Sequence, residues 1–263
     1  MQRIIISLAI SLLVAGVATL APQNLRADLM EDAVGIWLLD ENSGTTANDS
    51  SGNENHGEMS GGSGKWVKGK FGNALELNGT GEFVEVPDDD SLDLEEQVTM
   101  ICWFNWEGSG DGWQTFFSKG PMGGLEENYA LFINTGNRHT HFCTNAGGRN
   151  CLNSPNNAFE PNQWHHTAAT YDGERKITYL DGKEVQNDPL SGKMVTNDEY
   201  LGIGFRQGSS HYWKGMLDDM AIFKRALSEG EIQELMDNGV ESIMAVQPND
   251  KLTTTWGKIK KVR

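Results

Sequence analysis

The chain has 263 residues, and its 37 acidic against 21 basic side chains give it a formal net charge of −16 at pH 7. That charge argues against a nucleic-acid-binding protein, because phosphate backbones are bound by basic surfaces. Apolar residues make up 38% of the chain, with eight Trp and ten Phe, which is enough for a sizeable core. The 31 Gly and seven Pro are typical of short strands joined by turns.

The N-terminal residues 1–27 have the layout of a secretory signal peptide. Arg3 precedes an apolar run that extends from Ile4 to about Leu20, and cleavage is predicted after Ala27. The alternative is an uncleaved anchor, because the run approaches membrane-spanning length. The prediction is an exported protein (secreted, periplasmic or at the cell surface), with no membrane span after cleavage.

The region after the leader reads as a series of short strands. An apolar strand is predicted at Ala33–Leu39, and an irregular loop rich in side-chain oxygens follows from Asn42 to Gly64. Val98–Trp106 is apolar on both faces, which is typical of a strand in the middle of a sheet. The other predicted strands are Ala74–Leu77, Phe83–Val86, Thr115–Ser118, Tyr129–Asn134, His139–Thr144, Tyr200–Phe205 and Met216–Phe223.

The clearest local signal is an antiparallel meander over Gln163–Val185. Apolar and polar positions alternate along two runs, as in strands with one buried face. Asp172-Gly173 ends the first run and Asp181-Gly182 ends the second. Asp-Gly pairs favour tight hairpin turns, because Gly tolerates a positive φ.

One short helix is predicted, over Ser228–Asn238. Ser228 and Glu231 have the spacing of a capping box, and Gly239 is a typical helix stop. Residues 241–263 are basic and are predicted to be a tail outside the core. With no internal repeat or linker, residues 28–240 are predicted to form one all-β domain, a two-sheet antiparallel β-sandwich of the jelly-roll type with a short helix near its C-terminal end.

Three cysteines are present, and two of them are predicted to be bridged. Cys143 and Cys151 flank Gly147-Gly148, which can form a hairpin tip that brings the sulfurs together. An exported chain would allow this bridge to form. Cys102 lies among large apolar residues of a predicted strand, so it is predicted to be a buried free thiol rather than a nucleophile or a zinc ligand.

Several segments resemble the laminin-G-like jelly-roll family, within the concanavalin A-like lectin and glucanase fold. They are WHHTAATYDG, ITYLDGKEV, GMLDDMAIFKRALSEGEIQELM, VGIWLLDENSG, DSSGNENHGEM, FGNALELNGTGEFVEV and VTMICWFNW. The resemblance extends from about Ala33 to Gly239. It implies the jelly-roll fold and a binding or adhesion module, often for glycans and in some members with bound calcium. For function this is an analogy.

The acidic pair Asp218-Asp219 lies inside a predicted strand. Alternation places Asp218 on the same face as Met220 and Ile222, which predicts a carboxylate that points into the core. A buried carboxylate needs hydrogen-bond donors or a cation.

A calcium site is predicted to involve this carboxylate and the oxygen-rich loop. Oxygen side chains alternate along the loop at a spacing used around hard cations, although Ser60 stands where an EF-hand would have Glu. The resemblance implies calcium between the N-terminal loop and the late strand. The predicted ligands are Asp218, Asp49, Asn53 and Asn55. The alternative is that Asp218 accepts backbone N–H bonds and Asp49 caps a turn.

Aromatic residues in Gly-flanked segments are the candidate ligand contacts, because exposed rings can stack on sugars. The predicted ligand-binding residues are Trp213, Tyr212, His211 and Trp113. The alternative for each of them is core packing.

No catalytic residue is predicted. Retaining glycosidases need two carboxylates about 5–5.5 Å apart, whereas Asp218 and Asp219 are adjacent and project to opposite faces. His165 and His166 likewise project to opposite faces and accompany no nucleophile motif. The sequence therefore favours an exported, non-catalytic binding or adhesion module for an extracellular glycan or protein, with calcium dependence as a further expectation. The alternatives are a glycoside hydrolase of the same fold and a purely structural adhesion domain.

Overall fold

The computed structural model describes residues 23–110, 112–122 and 127–244. The predicted signal peptide therefore lies outside the described residues up to position 22, and the predicted tail lies outside them from position 245. The predicted cleavage point after Ala27 falls inside the first described helix. None of the described helices is long and apolar enough to cross a membrane.

The described residues form sixteen strands and three α-helices. The strands are β1 (Ala33–Trp37), β2 (Thr46–Ala47), β3 (Gly57–Ser60), β4 (Lys65–Lys68), β5 (Asn73–Asn78), β6 (Phe83–Val86), β7 (Val98–Trp106), β8 (Trp113–Lys119), β9 (Tyr129–Asn134), β10 (His139–Asn145), β11 (Arg149–Asn153), β12 (Trp164–Tyr171), β13 (Arg175–Leu180), β14 (Lys183–Pro189), β15 (Leu201–Ile203) and β16 (Lys214–Phe223). The helices are α1 (Gln23–Asp32), α2 (Glu229–Asn238) and α3 (Glu241–Met244).

These strands build two antiparallel sheets of eight strands each. The first sheet has the order β14-β13-β12-β7-β16-β5-β4, and β1 also pairs with β16. The second sheet has the order β11-β10-β9-β8-β15-β6-β3-β2. The all-β, two-sheet sandwich is confirmed. The strands β2 and β3 lie in the segment predicted to be an irregular loop, which has few large apolar residues to signal them.

Alternating side chains place the core between the two sheets. In β9, Tyr129, Leu131 and Ile133 belong to the buried core, whereas Ala130 and Phe132 form a separate cluster on the outer face of the second sheet. In β7, every side chain is buried, as predicted for a strand with both faces covered. Period-2 alternation therefore decides which residues of the second sheet remain available on the outside.

The three helices cover the outer face of the first sheet. Ile232 and Leu235 of α2 and Ile243 of α3 are buried against that face, so the first residues of the segment predicted as a tail pack on the sheet. The Ser228–Glu231 capping box is present at the start of α2, and Gly239 caps the C-terminal end of the helix with a φ of 75°. The predicted helix is confirmed.

The longest strand, β16, contains a bulge where its neighbour changes. Residues 214–217 pair with β5, and residues 220–223 pair with β1. At the bulge Asp219 has a φ of 46°, so the alternation of side chains shifts by one position. Asp218 pairs with Trp103 and Leu217 pairs with the core residue Phe104.

The side chain of Asp218 is therefore buried, but on the outer face of the first sheet. It lies under the segment 69–71, and its Oδ2 accepts the backbone N–H groups of Lys70 at 2.7 Å and Phe71 at 3.0 Å. The prediction that it shares a face with Met220 and Ile222 is wrong, because simple alternation does not hold across a bulge.

Candidate functional site

An aromatic cluster lies on the open, outer face of the second sheet. It joins Trp113 of β8, Phe132 of β9 and His141 of β10, and His141 is directly opposite Phe132 in the strand register. The ring centroids are 4.6 Å apart for Phe132 and His141, 4.9 Å for Trp113 and His141, and 5.4 Å for Trp113 and Phe132. The rings are tilted or edge-to-face, which is the arrangement that aromatic pairs prefer.

Side chains from two further segments turn this cluster into a groove. The segment after β15 brings the Arg206 guanidinium to 5.3 Å from the centre of the Phe132 ring. It also brings the ring of His211 to 6.5 Å from that of Phe132 in a stacked orientation. Met122 lies beside them and is 44% exposed.

The groove has a volume of about 520 Å³, within the usual range for small-molecule sites. The described residues that line it are Trp113, Met122, Phe132, His141, Arg149, Arg206 and His211. It therefore combines an aromatic floor with two arginines, and no lining residue in the described part of the chain is acidic.

One buried carboxylate holds the two arginines in place. Glu127 Oε2 accepts a hydrogen bond from Arg149 Nε at 2.7 Å, and Glu127 Oε1 lies 2.5 Å from Arg206 Nη2. Glu127 is inaccessible to solvent and Arg206 is 3% exposed. A buried ion pair of this kind fixes the direction of the planar guanidinium groups.

The buried guanidinium of Arg206 is incompletely bonded. Its Nη2 pairs with Glu127, whereas its buried Nε has no hydrogen-bond partner among the described residues. Burial lowers the pKa of Arg206 from its usual value, the charge of Glu127 opposes this shift, and the charge of Arg149 adds to it.

The surroundings of His141 are also positive. Burial lowers its pKa to about 4, and a hydrogen bond with Asn153 opposes that shift. The charge of Arg149 is the next cause, and His139 and Lys176 lower the pKa further. His141 is therefore a neutral aromatic ring at pH 7, available for stacking and for one donated or accepted hydrogen bond.

The disulfide between Cys143 and Cys151 closes the hairpin that presents Arg149. The two residues face each other in the register of β10 and β11, and the bridge is present as predicted. Arg149 Nη2 lies 2.9 Å from Cys143 Sγ. Cys102 is a buried free thiol, and burial raises its pKa well above the usual value, with a contribution from the charge of Asp218.

The predicted ligand-binding aromatics fall in three different places. Trp113 and His211 line the groove. Tyr212 stacks on Phe205 at 4.5 Å in an adjoining aromatic group. Trp213 has no accessible surface and belongs to the core between the sheets, so the core-packing alternative holds for it and it presents no face to a ligand.

Sequence reasoning missed the remaining residues of the groove. Phe132, His141 and Arg149 occupy outward positions of neighbouring strands, so strand parity combined with the correct pairing could have found them. Arg206 and Glu127 lie outside the strands, and no periodic pattern places them.

The predicted calcium ligands of the loop make hydrogen bonds within the protein. The Asp49 carboxylate accepts backbone N–H bonds from Ile36 at 2.8 Å, Ser51 at 2.8 Å and Asn55 at 3.0 Å, and it also accepts the Ser51 hydroxyl at 2.7 Å. The side-chain amide of Asn53 donates to the carbonyl of Ala33. These bonds hold the oxygen-rich loop against β1.

The second predicted calcium carboxylate accepts from a different part of the chain. Asp218 takes its two backbone donors from the segment 69–71, and its Oδ1 is buried without a hydrogen-bond partner among the described residues. Burial raises the pKa of Asp218 to about 8. The unpaired oxygen could serve a cation, so calcium binding by this set stays a prediction.

Another potential metal cluster is ruled out by covalent chemistry. Among the described residues, His141, Cys143 and Cys151 bring potential ligand atoms within 4.8 Å of one another. The two sulfurs are bonded to each other, so they are not thiolate ligands.

Two carboxylates face each other elsewhere on the outer face of the second sheet. Glu58 of β3 is directly opposite Glu85 of β6, and both side chains are exposed. Glu58 accepts hydrogen bonds from the hydroxyl groups of Thr45 and Thr46. The sequence did not predict this pair, because the two residues belong to different strands and only the pairing of β3 with β6 brings them together.

Comparison with known proteins supports the fold. The laminin-G-type family model described as the concanavalin A-like lectin/glucanases superfamily matches residues 78–233. The comparison with curated protein sequences found no match. The matched region runs from the end of β5 into α2 and includes every described element that lines the groove.

Solved structures with the same fold include several sugar complexes. One is domain 4 of AbnA, a GH43 extracellular arabinanase from Geobacillus stearothermophilus, in complex with arabinotriose, with a TM-score of 0.61 and 20% identity over 78% of this chain and 98% of that one. Another is the ligand binding domain of botulinum neurotoxin serotype D in complex with N-acetylneuraminic acid, with a TM-score of 0.62 and 15% identity over 82% of this chain and 53% of that one. A third is the Ruminococcus gnavus IT-sialidase CBM40 bound to alpha2,3 sialyllactose, with a TM-score of 0.53 and 16% identity over 62% of this chain and 96% of that one. At these identities the likeness shows the fold.

Proposed function

Because the chain belongs to the concanavalin A-like lectin/glucanase superfamily, we propose that it is a non-catalytic module that binds a carbohydrate in the outer groove of the second sheet. The observation that carries the proposal is the Trp113–Phe132–His141 cluster, which lies on the open face beside two arginines. Solved proteins of the same fold with arabinotriose and sialyllactose bound support it.

The chemistry of the groove suits a sugar ring. One face of a pyranose presents C–H groups, and the electron-rich face of an indole attracts them. Around that apolar contact, guanidinium N–H groups can donate to hydroxyl oxygens, and a neutral imidazole can make one further hydrogen bond with a hydroxyl group. Trp113 provides the stacking surface in this proposal, and Arg149, Arg206 and His141 fix the orientation of the bound ring.

The proposed setting is extracellular. The Cys143–Cys151 disulfide supports this proposal, because such bridges persist in oxidising compartments. The signal-like residues 1–27 add sequence support. An extracellular protein partner is a further proposal, and a solid-phase assay against matrix proteins would test it.

Glycan-array binding of the purified protein tests the proposed function. We expect the wild type to bind at least one class of oligosaccharide and the Trp113→Ala variant to lose affinity by about tenfold or more, as is usual for a central aromatic anchor. The matched control is Trp66→Ala, which removes another half-buried Trp, from β4 of the first sheet.

The pattern of the array decides between binding and structural roles. Equal losses of glycan affinity in Trp113→Ala and Trp66→Ala would show that the groove is not the binding site. A wild-type protein that binds no glycan on a broad array would contradict the proposed function and leave the structural adhesion domain.

The facing Glu58–Glu85 pair is the observation that favours a hydrolase. Both side chains are exposed, without the water-excluding pocket in which carboxylates usually act as acid and nucleophile. We propose that they are not catalytic. Incubation with the bound oligosaccharide should release no new reducing ends. Release that is lost in Glu58→Gln and Glu85→Gln would overturn this part of the proposal.

A further inference from the structure

We propose that the groove on the second sheet is selective for anionic sugars, which carry a carboxylate or a sulfate group. This inference rests on the proposed carbohydrate-binding function and names the class of ligand. It starts from the charges around the groove. Two guanidinium groups, of Arg149 and Arg206, share the single carboxylate of Glu127, which leaves one positive charge without a counterion in the described part of the site.

The excess positive charge belongs to a group of three side chains, of which Glu127 and Arg206 are buried and Arg149 is partly exposed. Arg206 is 3% exposed, and its Nε is without a hydrogen-bond partner among the described residues. Buried charges in proteins are normally paired and hydrogen-bonded. The Arg149 guanidinium is the more accessible of the two and also lines the groove, and a guanidinium in this position is matched by a planar carboxylate or a sulfate.

One further basic group adds part of a positive charge. Lys176 Nζ donates to the carbonyls of Phe142 at 2.8 Å and Asn150 at 2.9 Å, from between the sheets. Burial lowers the pKa of Lys176 to about 7, so this group is partly charged at neutral pH. Arg149 is the largest charge that lowers the pKa of His141. The chain as a whole is strongly acidic, so this positive site is a local exception to the overall charge.

The aromatic floor decides which anion fits best. The charge alone would suit any small anion, but the groove of about 520 Å³ also offers the half-buried indole of Trp113 and the rings of Phe132 and His141. These surfaces suit the C–H face of a ring. A sugar with one anionic substituent uses both parts of the site, with its ring on Trp113 and its charge near Arg206.

Matched pairs of oligosaccharides test the inference by titration calorimetry. One pair is trigalacturonic acid and its fully methyl-esterified form, which differ in the carboxylate charge. The other is a galactose trisaccharide with and without a sulfate on its terminal ring. We expect at least one charged member to bind about tenfold or more tightly than its neutral partner, because hydrogen bonds to charged groups are the stronger ones. The two pairs distinguish the carboxylate from the sulfate.

Variants separate the charge from the aromatic floor. Arg206→Gln should lower the preference for the charged member, and Arg149→Gln, at a partly exposed side chain, provides the same test with less risk to folding. Arg175→Gln is the control, because it removes the same charge from an exposed position on β13. Trp113→Ala should weaken the charged and neutral members by the same factor.

The results distinguish this inference from the proposed function. Equal or tighter binding of the neutral members would overturn the selectivity for anions and leave carbohydrate binding in place. An unchanged preference in folded Arg149→Gln and Arg206→Gln, verified by circular dichroism, would also overturn it. Failure to bind any of the four sugars, together with a blank glycan array, would overturn both.

Discussion

The outer faces of the two sheets are both built from antiparallel strands, but helices cover the first face and leave the second open. On the first sheet, α1, α2 and α3 cover an apolar surface that includes Ile101, Ala168 and Phe223. On the second sheet, the corresponding surface carries Trp113 and Phe132 and remains open as a groove. The same side-chain alternation thus produces one face that is covered by helices and another that stays open for the proposed ligand.

The two faces differ in the surroundings of their charged groups. The covered face buries Asp218 under the segment 69–71, where one carboxylate oxygen accepts from Lys70 and Phe71 and the other has no partner among the described residues. The open face places Arg149 and Arg206 around one carboxylate, beside a groove.

The largest expected effect comes from breaking the covered face. Leu235→Ala deletes a nearly inaccessible side chain of α2, so we expect the free energy of unfolding to fall by about 2–5 kcal/mol. The sugar affinity of the folded protein should not change. Denaturant unfolding and calorimetry measure the two quantities. A parallel loss of affinity would contradict the separation of the faces.

Acid should act on the buried groups of the covered face in opposite directions. Burial lowers the pKa of His166 to about 3 from the usual 6.5, and the charge of Asp181 opposes this shift. The unfolded chain therefore binds a proton below pH 6.5 that the folded chain excludes, so at about 1.4 kcal/mol per pKa unit the contribution of His166 to stability falls by about 3 kcal/mol by pH 4. Burial raises the pKa of Asp218 to about 8, so the contribution of Asp218 rises as the pH falls over the same range.

A histidine variant on each face checks this assignment. Relative to the wild type, His166→Gln should gain about 3 kcal/mol of unfolding free energy as the pH falls from 6.5 to 4. His141→Gln, on the open face, should remove a smaller contribution of the same sign, because the pKa of His141 is about 4. Identical pH profiles for wild type and His166→Gln would rule out the buried neutral histidine as the cause.

Removing the disulfide should affect the open face. The double variant Cys143→Ser, Cys151→Ser should lose about 2–3 kcal/mol of stability, by the loop-entropy estimate for a short loop. Because the bridge closes the hairpin that presents Arg149, we also expect weaker binding of charged sugars. Reductant should reproduce both effects in the wild type and leave the variant unchanged, since Cys102 is buried.

The smallest expected effect tests the predicted calcium site of Asp218 with Asp49, Asn53 and Asn55. Calcium at tenfold over Kd would stabilise the folded state by about 1.4 kcal/mol, so chelation should lower the Tm and Asp218→Asn should abolish that response. A wild-type melt that chelator leaves unchanged would contradict the site. Asp218 would then be served by the amides of Lys70 and Phe71 alone.

The fold was predictable because its signals are local. The strand Val98–Trp106, the Asp-Gly turns and the capping box of α2 each follow from nearby residues, and the structure contains all three. The disulfide was predictable for the same reason, since eight positions separate its cysteines. The weak strands β2 and β3 were missed, because short polar segments form strands only when a partner is present.

The candidate site was only half predictable. Trp113 and His211 could be chosen as aromatics near glycines, but Trp213 two positions later is buried in the core, and local composition does not distinguish them. The orientation of Asp218 depended on a bulge that alternation cannot reveal. The pairing of Glu127 with Arg206 joins distant segments, so only the tertiary fold brings these charges together.

The two-part pairing of β16 also sets the order in which the molecule can assemble. Its second half pairs with β1, and Asp32 beside that strand bonds Arg225, 193 positions away along the chain. Contacts this distant close late and slow the folding of β-rich proteins. Nearly the whole domain must therefore be synthesised before β1 can pair with its partner strand β16, and until then β1 is held only by the neighbouring loop around Asp49.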